Sequence, residues 1–273
     1  MEITKKSIIL NSNVNSALKA LLSEFWFAPM DAYLRAFEVA IWKKIKFKKP
    51  TLDIGCGDGR IDTLLFSGKT IEVGLDPSKK AILFAKNNTL YKEVVVGRAE
   101  NILFKNGSFN TVILNSTFEH INKDLKAVKE ISRVLRIGGV LIFTTTTKNM
   151  ESELDTIFSD SNEFRKFNQR VEHFHYRSFD EWREILLKNN LVILKHFTYF
   201  TKNDLRKWLM LFKIFTYKFR GRELWSYLKD SKFSKYLPSH FISIMEYKIL
   251  LPLLDDNKFG EGMWQFISAK KVS

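Results

Sequence analysis

Three glycines at alternate positions, Gly55, Gly57 and Gly59, constrain the fold of this chain more than any other feature of its sequence. They follow a short apolar stretch at 52–54, which predicts a buried strand, and a helical pattern begins near Ile61. Glycine adopts backbone angles that other residues avoid, and it lets a ligand lie directly on the main chain. A strand, a glycine-rich turn and a helix N-terminus together form a cradle for a nucleotide. An ordinary tight turn between a strand and a helix shows the same pattern, so the glycines alone do not identify a ligand.

The composition is that of a globular chain. With 273 residues and 45% hydrophobic side chains, the chain can form one large domain or a domain with an insertion. Cys56 is the only cysteine, so neither an internal disulfide nor a cysteine cluster for zinc can form, and we expect no metal. The sequence has no run of about 18 apolar residues that could span a bilayer, and the apolar run at 8–10, after the polar residues 1–6, is too short for the core that a signal peptide is expected to have. These features predict a reducing, cytoplasmic setting.

The formal net charge of the chain is +14. Such an excess favours negatively charged partners, namely nucleic acid, an anionic lipid surface or a phosphorylated substrate. A lysine-rich genome would produce the same excess without any such partner. The charge alone therefore does not choose among these functions.

An acidic residue follows the glycines at an informative distance. Asp76 ends a predicted strand at 71–75 and lies 19 positions after Gly57 (76 − 57 = 19). A carboxylate about 20 positions past such a turn is placed to accept hydrogen bonds from both ribose hydroxyls of a nucleotide. The same carboxylate would repel a 2′-phosphate, which disfavours NADP.

Strand-like and helix-like segments alternate after Asp76. Such alternation calls for a parallel sheet that is covered by helices on both faces. The predicted strands are 94–96, 111–115 and 140–143, and the predicted helices are 79–86, 125–135 and a polar excursion over 151–166. Farther along, 191–200 and 262–269 are predicted to pair as antiparallel strands at the edge of the sheet.

Five sequence blocks between residues 50 and 147 make a more specific pattern. They read LDIGCGDG at 52–59, GRAENILF at 97–104, FNTV at 109–112, FEHI at 118–121 and EISRVLRIGG at 130–139. In this order they resemble the class I S-adenosylmethionine-dependent methyltransferases, in particular the methyltransferase-11-like branch that acts on small molecules. The chain departs from the family pattern at Arg98, where aspartate is frequent, and at Leu103 and Ile137, where proline is usual.

The resemblance implies an α/β fold. Its core would be a Rossmann-like, doubly wound, mostly parallel sheet of seven strands, the last of which is antiparallel. It also implies three regions along the chain: a helical cap at 1–49, a methyltransferase core at 50–202 and 259–273, and a basic, aromatic helical insertion at 203–258.

The resemblance further implies S-adenosylmethionine as the cofactor. The residues that would bind it are Asp53, Gly55, Cys56, Gly57, Asp76, Pro77, Arg98, Ala99, Glu100 and Asn115. The first four would cradle the methionine portion and the ribose edge, Asp76 would hold the ribose hydroxyls, and Asn115 would lie near the transferable methyl group. The others would line the adenine pocket. Because Arg98 replaces aspartate, the contact to the adenine amino group would fall to Glu100 or to the backbone of Ala99.

Two histidines precede a predicted helix close to the expected opening of the site. Ser178 and Glu181 have the spacing of a capping box, so His173 and His175 lie on the loop before that helix. Histidine titrates near neutral pH and can accept a proton from a hydroxyl nucleophile. We predict His175 as the catalytic base, with His120 as the competing candidate. For His173 and His175, the alternative is a structural hydrogen bond to the backbone.

The two remaining regions are helical in pattern. Pro29 divides the segment 1–49 into two predicted helices, which either pack on the sheet or form a lid over the substrate. In the insertion, apolar residues of 205–219 share one helical face, and 206–235 holds nine basic and two acidic residues (9 − 2 = +7). Such a helix can lie in an anionic membrane interface. The same apolar face could instead be ordinary core, or the basic segment could bind nucleic acid.

The predicted function is methyl transfer by in-line displacement, with O-methylation of a small-molecule, glycan or lipid-linked acceptor. A nucleic-acid methyltransferase, for example one acting on RNA, is the main rival. However, residues 115–118 lack the two prolines usual in amino-directed base methyltransferases, and no separate basic recognition module is evident. A non-catalytic cofactor-binding or scaffold protein is the second alternative, since a fold does not fix a function. The expected location is cytoplasmic, with peripheral contact of 205–235 at the inner membrane face.

Overall fold

The computed structural model describes residues 3–158, 160–230, 239–254 and 262–273. The chain divides into two compact units, each built from two segments. The sheet unit comprises Lys46–Tyr199 and Glu261–Ser273, and the helical unit comprises Met1–Ile45 and Phe200–Gly260. Parts of the predicted regions, namely 1–2, 159, 231–238 and 255–261, lie outside the described residues.

The secondary structure alternates as the sequence pattern indicates. The strands are β1 (Thr51–Ile54), β2 (Ile71–Asp76), β3 (Tyr91–Val96), β4 (Phe109–Asn115), β5 (Leu135–Thr146), β6 (Leu191–Tyr199), β7 (Lys218–Phe219), β8 (Arg222–Glu223) and β9 (Trp264–Lys271). The helices are α1 (Ile3–Phe25), α2 (Pro29–Trp42), α3 (Arg60–Leu65), α4 (Lys79–Ala85), α5 (Asp124–Val134), α6 (Lys148–Ile157), α7 (Ser161–Val171), α8 (Phe179–Leu187), α9 (Lys202–Phe215), α10 (Leu224–Asp230) and α11 (Ser239–Leu250).

The sheet unit contains a seven-stranded sheet in the order β3-β2-β1-β4-β5-β9-β6. Strands β1 to β5 run parallel to one another, whereas β9 runs antiparallel to both β5 and β6. The predicted doubly wound sheet with an antiparallel last strand is therefore confirmed. The predicted antiparallel pairing of the last two strands at one edge of the sheet is also confirmed, with β6 outermost and β9 between β5 and β6.

Apolar faces of the helices bury the sheet. In α5, Val128, Ile131 and Val134 are all fully buried, as the one-sided spacing predicts. Beneath the carboxyl ends of the strands, the rings of Phe118, Phe143 and Trp182 pack together with centroids 4.8–4.9 Å apart. This aromatic cluster anchors the segment after β4 and the helix α8 on the same part of the core.

Two element boundaries differ from the sequence prediction. The strand predicted from Val140 begins at Leu135, directly after α5, because Leu135 already pairs with Phe109 across an irregularity in the β4–β5 ladder. The polar excursion predicted over 151–166 consists of two helices, α6 and α7.

The helical unit is built from α1, α2, α9, α10 and α11, with a short β7–β8 hairpin. Pro29 is the first residue of α2, so it separates α1 from α2 as predicted. The apolar face of α9 is buried through Leu205, Trp208 and Leu209, and α9 packs on α2. Near the start of α9, the Tyr33 hydroxyl donates to Asp204 at 2.8 Å. The predicted continuation of this helix to residue 219 was wrong, because α9 ends at Phe215 and the hairpin follows. Among the described residues, no helix has both the length and the hydropathy needed to cross a bilayer.

Candidate active site

The glycine turn and the carboxylate of Asp76 meet as the sequence spacing predicts. After β1, the amide of Gly55 donates to the carbonyl oxygen of Leu75 at 2.7 Å, which ties the turn to β2. The amide of Gly57 donates to Asp76 Oδ2 at 3.0 Å, and the amide of Ser78 donates to Asp76 Oδ1 at 2.8 Å. Both carboxylate oxygens are therefore oriented by the backbone at the carboxyl end of β2.

Space above the turn is available for a ligand. Gly57 has φ +52°, and a Cβ placed on it would meet no atom within 4 Å. By contrast, a Cβ on Gly55 would lie 2.5 Å from the hydroxyl of Thr117. Gly55 is thus needed for the close approach of the segment after β4, whereas Gly57 leaves the open surface on which a ribose can lie.

Asn115 lies at the carboxyl end of β4, beside this approach. Its Oδ1 accepts a hydrogen bond from Thr144 Oγ1 at 3.0 Å, and its carbonyl oxygen accepts one from Thr117 Oγ1 at 3.0 Å. The next residue, Ser116, has φ +45°, which turns the chain sharply at the strand end. The structure therefore brings Asn115 and the glycine turn to one edge of the sheet.

Asp53 and Cys56 differ from the other predicted residues because their side chains are buried within the sheet unit. The Tyr91 hydroxyl lies 2.6 Å from Asp53 Oδ2 and 3.0 Å from Asp62 Oδ2, so it is within hydrogen-bond distance of both carboxyl groups. Burial, opposed by the Tyr91 hydrogen bond and reinforced by the charge of Asp76, raises the pKa of Asp53 to about 7. Burial also raises the pKa of the Cys56 thiol, so at this position the backbone, not the sulfur, is available to a cofactor.

Sequence reasoning missed Tyr91 and Asp62. Tyr91 begins β3 and reads as one more apolar strand residue, and Asp62 reads as an ordinary acidic residue in the first turn of α3. Their meeting with Asp53 depends on the pairing of β2 with β1 and β3. The one available signal for this cluster was Asp62, an acidic residue on the buried face of the short helix α3.

The residues assigned to the adenine side lie along the loop after β3. Ala99 and Glu100 are buried, and Arg98 forms an ion pair with Glu100 at 3.1 Å (Nη2 to Oε1). Arg98 therefore neutralises the neighbouring carboxylate at a position where the family often carries an acid. Pro77, which directly follows β2, and Arg98 both line a large cavity.

A cavity of about 730 Å³ extends from Pro77 and Arg98 to His120. Its other wall is formed by α7 and the loop that follows it, through Ser161, Phe164, Arg165, Asn168, Gln169, Glu172, His173 and Phe174. The cavity has the size of a small-molecule site and lies at the carboxyl edge of the sheet, where such folds bind ligands.

The three histidines near this edge have different surroundings. His120 and His173 both line the cavity, and their rings lie 5.0 Å apart. His175 is outside the cavity lining: its Nε2 lies 2.8 Å from the carbonyl oxygen of Asn122 and 3.6 Å from Asp124 Oδ1. Of the two predicted bases, the structure brings His120, and not His175, into the cavity wall.

An ion pair holds in place the loop that carries His173 and His175 before α8, here called the histidine loop. Arg177 donates to both oxygens of Asp124, at 2.6 and 3.0 Å, and Gln265 Nε2 donates to the carbonyl oxygen of Arg177 at 2.8 Å. The capping box of Ser178 and Glu181 is present, which confirms that α8 begins there and that the histidines precede it.

The block at 130–139 has a structural explanation that the sequence did not reveal. Arg133 donates to the carbonyl oxygens of Ile102 and Phe104, at 2.7 and 2.8 Å, and Glu130 accepts from the amide of Ile102 at 3.0 Å. Glu130 and Arg133 of α5 thus hold residues 102–104, which follow the loop on the adenine side.

Comparisons with known proteins agree with this geometry. Residues 52–143 match a family described as a methyltransferase domain. An uncharacterised protein of Methanocaldococcus jannaschii is 41% identical over 114 residues, which are 41% of this chain and 43% of that protein. A ubiquinone biosynthesis O-methyltransferase of Coxiella burnetii is 25% identical over 144 residues, which are 50% of this chain and 62% of that protein. The chain thus spans about half the length of these curated relatives.

A solved structure extends the comparison beyond the matched segment. It is a Thermotoga maritima protein described as an S-adenosylmethionine-dependent methyltransferase and possible histamine N-methyltransferase. Its TM-score is 0.54 at 20% identity, with 92% of this chain and 91% of that chain covered. At this identity the likeness concerns the fold.

A doubly wound sheet with this strand order, this glycine turn and this family match defines the class I S-adenosylmethionine-dependent methyltransferases. Residues 52–143 carry a methyltransferase domain of the methyltransferase-11 type, and S-adenosylmethionine is the cofactor of such domains. The open surface at Gly57 and the backbone-oriented carboxylate of Asp76 fit the ribose of that cofactor.

Proposed function

We propose that the chain transfers a methyl group from S-adenosylmethionine to a hydroxyl of a small-molecule, glycan or lipid-linked acceptor bound in the cavity. The observation that carries this proposal is the cavity itself, which starts at the adenine-side residues Pro77 and Arg98 and continues to His120. A cofactor and an acceptor in these two places would lie side by side. The relative from Coxiella burnetii, named as an O-methyltransferase, supports oxygen as the acceptor atom.

The chain's own contribution to this reaction is binding, orientation and exclusion of water. The cofactor, when bound, supplies a methyl group on a sulfonium, which is already a strong electrophile. Asp76 would hold the ribose hydroxyls, and the backbone at Gly57 would lie against the sugar. Holding the acceptor oxygen in line with the methyl group then supplies most of the acceleration.

His120 is the residue that we propose acts on the acceptor hydroxyl. Its Nδ1 lies 3.1 Å from the carbonyl oxygen of Glu172. A carbonyl oxygen can only accept, so Nδ1 carries the proton and Nε2 keeps a lone pair. His175 has its Nε2 against a carbonyl oxygen and serves in this proposal to hold the loop.

The proposal is tested with purified protein in two steps. The first is a calorimetric titration with S-adenosylmethionine, and the second is an assay of methyl transfer to panels of hydroxylated small molecules, glycans, lipid headgroups and RNA. We expect tight cofactor binding and transfer to an acceptor outside the RNA panel. Transfer to RNA alone would establish the rival nucleic-acid function, and binding without any transfer would favour a scaffold.

A matched pair of variants tests the histidine assignment. We expect His120→Gln to lower kcat by about 100-fold, in the range of general acid–base effects, with unchanged cofactor affinity. The control is His175→Gln, which should keep kcat within a few-fold. A larger loss of kcat in His175→Gln than in His120→Gln would reverse the assignment.

A second proposal, favoured by the exposed side of the helical unit, is peripheral contact with an anionic membrane at the cytoplasmic face. Met210, Ile214, Tyr217 and Phe219 are 48–67% exposed, and Lys213 lies among them in the sequence. Exposed apolar groups interleaved with basic residues are typical of interfacial helices. The sequence prediction was based on an apolar face that begins with Leu205 and Trp208, which are buried, and ends with Phe219, which is exposed.

A further inference from the structure

Three potential ligand groups for a metal ion meet at the wall of the cavity. One side-chain atom each of Glu119, His120 and His173 lies within 4.8 Å of the other two. Glu119 and His120 follow β4, whereas His173 follows α7, so the set joins two distant segments. The two segments are tied together by the amide of Phe174, which donates to the carbonyl oxygen of Glu119 at 2.8 Å.

The hydrogen bonds of both imidazoles leave the same nitrogen able to bind a metal. As described above, His120 uses Nδ1–H toward the carbonyl oxygen of Glu172. His173 Nδ1 lies 2.9 Å from the Tyr176 hydroxyl, and that hydroxyl donates its proton to Asn168 Oδ1 at 2.7 Å. The hydroxyl must therefore accept from His173, so Nδ1 is protonated there as well. Each Nε2 keeps its lone pair.

This arrangement of partners is the one that metal-binding histidines use. Such residues donate the second ring N–H to a carbonyl oxygen or another acceptor, which fixes the tautomer and the ring orientation. A neutral imidazole is the form that binds a metal.

Glu119 completes the set with a carboxylate in a fixed position. It is buried, and its Oε2 accepts a hydrogen bond from Thr145 Oγ1 on β5 at 2.9 Å. Two ligand atoms at metal bonds of about 2.1 Å lie at most about 4.2 Å apart. The limit of 4.8 Å exceeds that spacing by about 0.6 Å, so the side chains must move closer together to bind an ion.

We propose that Glu119, His120 and His173 bind one divalent transition-metal ion, such as Zn²⁺, through one carboxylate oxygen and two Nε2 atoms. Two imidazoles and a carboxylate suit zinc and the neighbouring first-row metals. Three protein ligands leave at least one position open, as in catalytic metal sites. Because two of the three residues line the cavity, an oxygen of the bound acceptor can fill that position. The site departs from the sequence expectation of no metal, which considered only cysteine clusters.

The use of this ion in catalysis rests on the proposed methyl transfer, whereas its binding does not. An acceptor hydroxyl bound to the ion has a lowered pKa and releases its proton to solvent. The resulting oxyanion forms the bond to the methyl carbon, and the bond from that carbon to sulfur breaks with its electron pair returning to sulfur. In this arrangement His120 acts on the acceptor through the ion.

Titration of the full chain with Zn²⁺ and with Co²⁺ tests the site directly. We expect one ion per chain, and for Co²⁺ the visible absorption of a site with nitrogen and oxygen ligands. His120→Gln, His173→Gln and Glu119→Gln should each weaken Zn²⁺ binding by at least about 100-fold, since loss of a mere outer partner already costs 10- to 100-fold. The matched control is His175→Gln, two residues from His173, which should bind Zn²⁺ as the unmodified chain does.

The possible results separate this site from the rest of the proposal. The cofactor titration of each variant reports whether it is folded, and should be unchanged. The metal site is overturned if the unmodified chain binds Zn²⁺ no more tightly than about 1 mM, or if His120→Gln and His175→Gln weaken binding equally. One Zn²⁺ bound with no affinity for S-adenosylmethionine would overturn the proposed function and leave the metal site standing.

Discussion

The sheet unit and the helical unit differ in how their functional information is encoded. In the sheet unit, the backbone amide of Gly57 donates to the carboxylate of Asp76, so a short motif and one spacing predict a local geometry that the structure contains. In the helical unit, the apolar face of α9 is buried by packing against α2, and its exposed side carries other apolar residues. An amphipathic pattern is compatible with both core and membrane contact. A motif that fixes the backbone therefore predicts which groups can contact a ligand. An amphipathic pattern predicts only that one face of the helix is covered.

The largest expected effect concerns the support of the histidine loop in the sheet unit. Arg177→Met removes the two hydrogen bonds to Asp124 and leaves a buried carboxylate without its cation. Breaking a buried pair in this way costs about 3–5 kcal/mol of the free energy of unfolding. Urea denaturation followed by circular dichroism measures this loss.

The control for this variant is Arg183→Met, because Arg183 forms an exposed ion pair with Asp180 on the neighbouring helix α8. That pair should contribute less than about 1 kcal/mol. Equal stability of the two variants would show that the Asp124 pair does not hold the loop.

The next effect concerns the cofactor surface. Asp76→Ala removes the acceptor for the amide of Gly57 and the acceptor that we propose for the ribose hydroxyls. Hydrogen bonds to a charged group contribute about 1.5–3 kcal/mol each, so we expect the affinity for S-adenosylmethionine to fall by at least about 100-fold in calorimetry. Asp58→Ala is the control, since Asp58 lies in the same turn but pairs with Arg60. Similar affinities for the two variants would contradict the assignment of Asp76.

The sequence predicted best those parts of the site that depend on local chain geometry. The turn, the position of Asp76 and the capping box of Ser178 with Glu181 each involve hydrogen bonds that a spacing can indicate. The pairing of His120 with His173 could not be predicted in this way, because it depends on where α7 ends relative to β4. The same holds for the placement of β9 between β5 and β6.

A third prediction uses the titration of Asp53. Burial is the largest cause that raises the pKa of Asp53 from 3.8 to about 7. Because the folded chain then binds this proton more tightly than the unfolded chain does, the free energy of unfolding falls as the pH rises from about 4 through 7. The cofactor carries a positive sulfonium, which favours the ionised carboxylate. We therefore expect affinity for S-adenosylmethionine to rise up to about tenfold between about pH 6 and pH 7.5. Asp53→Asn should flatten this profile, and an affinity that falls with rising pH in the unmodified chain would contradict it.

The smallest expected effect decides whether the exposed side of the helical unit has a function of its own. Ile214→Ser removes an apolar side chain that is 48% exposed, and Leu187→Ser removes one that is 63% exposed on α8 of the sheet unit. If residues near 214 enter an anionic membrane, the first variant should lower partitioning to phosphatidylserine-containing vesicles by about tenfold, because burying such a side chain contributes about 1.5–3 kcal/mol. The second should leave partitioning unchanged. Equal effects of both variants, or vesicle binding that does not change in Ile214→Ser, would mean that this surface does not enter the membrane.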